Sequence, residues 1–111
     1  MNREAQPRKT RASAGRKPKK DFYVLRLYVA GLTARSRTAI SNITSICEEH
    51  LQGRYDLEVI DVFQRPVLAS EEQIIATPTL VKRLPAPLRR FIGDLSEKEK
   101  VLVGLDLRRV G

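Results

Sequence analysis

The sequence predicts one α/β domain founded on a strand–helix–strand unit and preceded by a basic arm. Three observations lead there. Phe22 to Ala30 is β-branched, aromatic and almost continuously apolar. Tyr55 to Phe63 alternates, with Tyr55, Leu57 and Val59 against Asp56 and Glu58. Between them, apolar residues recur at helical spacing.

The first 20 residues stand apart. They hold eight basic side chains against the single acid Glu4, a charge of +7, within a chain of net charge +8. The other 91 residues are therefore close to neutral, and the charge says little about the fold. After Met1 the arm has no apolar residue larger than alanine, so residues 1–20 are expected to be disordered and 21–111 to form the domain. The arm alone suggests nucleic acid as a partner, through simple attraction to phosphate. It has no aromatic residue on which bases would stack.

Each later segment has its own logic. A strand over 22–30 with so few polar residues is one covered on both faces. Ile40, Ile43, Cys47 and Leu51 form one helical stripe, which Gly53 is placed to end. The strand over 55–63 then completes a βαβ unit with a right-handed crossover and a parallel pair. Beyond Pro66 the pattern weakens. Ser70 to Gln73 has capping-box spacing before Ile74, Ile75 and Ala76, which predicts a short helix stopped by Pro78. Thr79 to Val81 reads as a strand, Leu84 to Pro87 as stiff and extended, and Arg89 to Gly93 as a strand or a helical turn. A second capping box at Ser96 to Glu99 predicts a helix. The segment it opens reads two ways, however. Val101, Val103, Leu105 and Leu107 alternate like a strand, while Val101, Leu102 and Leu105 form a helical stripe.

The chemistry is sparse. One cysteine, Cys47, excludes an internal disulfide and Cys-x-x-Cys thiol exchange. With His50 as the only histidine, the usual zinc sites are excluded too. Gly31 to Arg35 lacks the glycine pattern of a phosphate-binding loop. No cofactor and no enzymatic activity are predicted. No apolar run approaches the roughly 20 residues of a membrane helix, and a cytoplasmic protein is expected.

Several stretches resemble the KaiB family of circadian clock proteins. They are Leu27 to Gly31, Val59 to Val62, Ile75 to Leu80, Arg89-Arg90, Ile92 to Ser96 and Glu99 to Leu107. The resemblance runs in order from about Phe22 to Leu107. It implies a non-catalytic regulator that binds a KaiC-type ATPase, with a SasA-like histidine kinase as competitor. It also implies a fold switch. The partner-bound form is thioredoxin-like, βαβαββα, with Pro78 in a cis-proline turn. The free form, a dimer or tetramer, has a different arrangement of the second half.

On that reading Gly104 and Asp106 are fold-switch candidates. Glycine lowers helix stability by about 1 kcal/mol relative to alanine. An acid at a helix C-terminus opposes the macrodipole by roughly 0.3–1 kcal/mol. Gly104→Ala and Asp106→Arg are thus expected to favour the thioredoxin-like form. Gln73, Phe63, Gln64, Asp56 and Glu58 are the partner-binding candidates. Gln73 stands where clock proteins often carry a lysine, and Asp56 with Glu58 give the second strand an acidic edge that makes KaiA a doubtful partner.

Overall fold

The computed structural model describes residues 21–108, and the basic arm lies outside them. Seven elements follow in order: β1 Tyr23–Val29, α1 Ala34–His50, β2 Tyr55–Asp61, α2 Pro66–Glu71, β3 Thr79–Leu84, β4 Arg89–Ile92 and α3 Lys98–Gly104. The four strands form one sheet in the order β2-β1-β3-β4. β1 and β2 run parallel in register from Tyr23 opposite Tyr55 to Val29 opposite Asp61. β3 lies antiparallel to β1, and β4 antiparallel to β3. The predicted βαβ unit is present, with its parallel pair.

The central position of β1 explains its apolar run, because both faces are covered. On one side Tyr23, Leu25, Leu27, Val29 and Leu80 meet α1 and α3 through Ile43, Ile46, Cys47, Leu51, Val101, Leu102 and Leu105. On the other, Tyr28, Ile60 and Val81 pack with Ala69 of α2. Each fully buried leucine or isoleucine contributes about 1.5–3 kcal/mol of transfer free energy. The α1 stripe holds as predicted, with Ile43, Cys47 and Leu51 wholly buried. Gly53 follows that helix at φ +75°, a left-handed turn that suits glycine.

Three of the sequence predictions need correction. The short helix is α2, over Pro66–Glu71, and it ends where the capping box placed its start. Pro66 decides this, since its missing N–H and fixed φ suit the first helical turn. β2 stops at Asp61, whose carboxylate accepts the Phe63 N–H at 2.9 Å and turns the chain. The box at Ser96 is also unformed: α3 begins at Lys98 with Glu97 as its cap residue, which makes no side-chain capping bond. Arg89–Ile92 is a strand, and the ambiguous segment is a helix as far as Gly104.

Candidate functional site

The sequence-selected residues divide between the two ends of α2, the outer strand β2 and the end of α3. Phe63 and Gln64 lie in the turn between β2 and α2. Phe63 is 76 % exposed, and Val67 beside it is 69 % exposed. Gln64 lines a groove of about 440 Å³ with Pro66 and Val67. Gln73 lies at the other end of α2, in a cleft of about 670 Å³ with Ile75, Thr79, Arg90 and Ile92. Ile75, 90 % exposed, stands on its rim.

The turn at the base of this cleft is tightly tied. Thr77–Pro78 is a cis peptide, as the resemblance implied. The Pro78 carbonyl accepts from Gly93 N–H at 2.9 Å, and the Thr79 hydroxyl donates to the Ala76 carbonyl at 2.6 Å.

Asp56 and Glu58 do lie on the open edge strand, but Glu58 is not a free acid. It pairs with Arg65 at 3.1 Å and approaches Arg26 at 3.8 Å. The acidic edge expected from the sequence is therefore partly neutralised.

α2 and α3 end alike. The Ile74 N–H bonds the Ala69 carbonyl and the Gln73 N–H bonds that of Ser70. Likewise Leu107 N–H reaches Leu102 and Asp106 N–H reaches Val103, all within 2.8–3.0 Å. This is the paired bonding of a Schellman motif, which places the residue after the cap in the left-handed region, usually as glycine. Here those residues are Gln73, φ +58°, and Asp106, φ +61°. Gly104 meets the ring of Phe91: a Cβ there would lie 2.3 Å from Cε2 and 2.8 Å from Cζ. The helix-propensity gain of Gly104→Ala thus requires that ring to turn aside. The dipole gain of Asp106→Arg is opposed as well, by a long side chain forced into left-handed backbone.

Sequence reasoning missed a polar cluster beneath α2. The Glu72 carboxylate accepts from Tyr28 at 2.8 Å, Arg26 at 3.2 Å and Arg83 at 2.9 Å. Burial works to raise its pKa, but the tyrosine bond and the two guanidinium groups outweigh it and hold the carboxyl below its ordinary value. Only the strand register brings these residues together, so no local spacing announces them. Cys47 is fully buried, and burial, with help from Glu48, pushes its thiol up to about 12. A thiol so protonated at neutral pH is a poor nucleophile. Among the described residues no acidic, histidine or cysteine cluster would hold a metal, and no helix is long and apolar enough to cross a membrane.

The KaiB domain profile matches residues 26–107. The chain belongs to the KaiB family. It is 57 % identical over 90 residues to the circadian clock oscillator protein KaiB of Cyanothece sp., a match covering 81 % of this chain and 86 % of that one. The corresponding protein of Microcystis aeruginosa is 58 % identical over 88 residues, 79 % and 85 % of the two chains. Among solved structures, the N-terminal domain of Synechococcus elongatus SasA is similar with a TM-score of 0.65 at 21 % identity, covering 90 % of this chain and 98 % of that one. The Drosophila thioredoxin Deadhead is similar at 0.63 and 19 %, covering 79 % and 83 %. At such identities these two likenesses establish the fold alone, and that fold is thioredoxin-like. This KaiB family member thus has the βαβαββα order that the resemblance implied for the partner-bound form.

Proposed function

We propose that this chain is a non-catalytic, KaiB-like regulator that binds a KaiC-type ATPase in a circadian, timing or stress-response system. The observation that carries the reading is the thioredoxin-like second half in a KaiB-family sequence, an arrangement shared with the N-terminal domain of SasA. A regulator and a kinase that compete for one ATPase surface need a common shape, and this fold supplies it. The contact surface on this reading comprises Gln73, Phe63 and Gln64 around α2, with exposed Val67 and Ile75 supplying apolar area. Gln73 offers a neutral amide where the clock proteins often present a cation. Asp56 and Glu58 disfavour KaiA at the open edge. The reading also includes a fold switch biased by Gly104, Asp106 and Pro78, a cytoplasmic location, and a dimer or tetramer in the free state. Residues 21–111 form the working domain and 1–20 an appended arm.

Size-exclusion chromatography of the full chain, with and without the KaiC-type ATPase of its host and ATP, tests the reading. A co-eluting complex that Gln73→Glu and Phe63→Ala weaken at least ten-fold is the expected result. Independent elution at micromolar concentrations overturns it. The rival reading, a thioredoxin-like oxidoreductase, has the fold in its favour. It would need insulin reduction by a protein whose one thiol is buried and protonated.

A further inference from the structure

Lys82 is the outlier of the interior. It lies in β3 with no exposed surface, and its Nζ has no hydrogen-bond partner among the described residues. Its strand neighbours are Leu25 on β1 and Arg89 on β4. A lysine ammonium has three donors, and burying it without acceptors strongly disfavours the arrangement that buries it. Three charged groups act at this site. Asp106, just beyond α3, and Asp21, just before β1, attract the ammonium, while Arg89 repels it. Tyr23 beside them is committed elsewhere, its hydroxyl donating to the Leu105 carbonyl at 2.6 Å. Burial is the largest effect and holds the Lys82 pKa below that of an ordinary lysine.

A second observation points the same way. Among the described residues, the non-glycine residues with left-handed φ are Gln73, Leu95 and Asp106, all in the second half. In the first half glycines, Gly31 and Gly53, occupy such positions. Unfavourable choices are therefore concentrated in β3 and the ends of α2 and α3, while the βαβ unit is spared.

We propose that Lys82 is an electrostatic counterweight that keeps the thioredoxin-like second half close to its limit of stability, so that removing its charge locks that half in place. For stability this stands on the geometry alone; for binding it rests on the KaiC-type reading above. The sign follows from linkage. A lysine whose pKa is lower folded than unfolded leaves the unfolded chain holding more protons, so stability rises with pH between the two values. Tyr23 has its phenol raised, first by burial and then by Asp106, and counts against the fold only above about pH 10. The window to examine therefore lies below about pH 10, where the tyrosine does not yet count.

Hydrogen-exchange protection of the Leu105 and Leu107 amides, which close α3 onto Val101 and Leu102, reports this arrangement directly. In the unaltered chain their protection factors are expected to rise from pH 7 to 9.5. Lys82→Met is expected to raise them at least ten-fold at pH 7 and to flatten the profile, while Lys82→Arg does neither. A flat profile in the unaltered chain overturns the proposal, as does equal protection in the methionine and arginine variants. Affinity for the host's KaiC-type ATPase is measured in parallel. Raised protection with tighter binding supports both conclusions. Raised protection with unchanged binding upholds the counterweight and sinks the reading that this arrangement is the one the ATPase selects.

Discussion

Glu72 shows how much a single side chain can organise when burial and charge meet. It is 10 % exposed, and it gathers Arg26 of β1, Arg83 of β3 and the Tyr28 hydroxyl under the end of α2. Because its folded pKa lies below the ordinary value, its stabilisation is fully present above the unfolded pKa and is lost as pH falls through the folded one. Glu72→Gln should cost about 1.5–3 kcal/mol at pH 7, the range for hydrogen bonds to charged groups. Denaturant melts should also show the variant losing less stability than the parent between pH 5 and 3. Equal slopes would mean that other carboxylates carry the acid sensitivity. Asp94, held low by its bonds to Ser96, is one of these, so a residual slope is expected. Neither Arg26 nor Tyr28 advertised this role in the sequence, where an almost continuously apolar strand reads the same whether its few polar groups meet water or a carboxylate 44 residues away. Lys82 was missed for a related reason. The strand over 79–81 was legible, but its extension to Leu84 was not, and that extension buries the lysine.

At the scale of elements, the first half was readable because its signals are strong and agree. A doubly covered strand, a helical stripe ending at a left-handed glycine and an alternating strand each have one interpretation. The second half violates its own local rules. Its capping-box spacing at Ser70 is a decoy, and the one at Ser96 announces a helix that it does not cap. Its two Schellman motifs place glutamine and aspartate where glycine is usual, so the helix ends could not be found by looking for glycine. The mismatch can be measured. A non-glycine residue in left-handed backbone costs roughly 1–2 kcal/mol, offset in part by the extra freedom glycine has when unfolded. Gln73→Gly should therefore stabilise the domain by about 0.5–1 kcal/mol, a rise of roughly 2–8 °C in Tm for a domain this small. Calorimetry showing a lower Tm would place the Gln73 side chain among the groups that hold the cleft together.

By charge, the chain divides into 20 strongly cationic residues and a near-neutral remainder. That division was legible from the positions of the charges, although their total of +8 invites a nucleic-acid reading of the entire chain. Removing residues 1–20 takes away a charge of +7 and, on the reading above, none of the contact surface. The truncated chain should thus retain its affinity for the KaiC-type ATPase within about two-fold. Any attraction to DNA, read as retention on heparin that falls with the logarithm of salt concentration, should vanish with the arm. If ATPase binding falls with it as well, the arm belongs to the interface. The family and the fold were visible in runs of side chains. The candidate surface was visible only as separate residues, because the pairing of β3 between β1 and β4 is what brings Gln73, Thr79 and Ile92 around one cleft.

That same pairing gives the molecule a seam. β1 is bonded on one flank to β2, its partner in the βαβ unit, and on the other to β3, the first strand of the later half. The β1–β3 ladder, five residue pairs from Val24–Leu84 to Tyr28–Thr79, carries the hydrogen-bonded join of sheet between the halves. It is interrupted by a register shift at Val24/Leu25. The two halves thus meet along one flank of β1, and whatever weakens this ladder weakens the whole sheet.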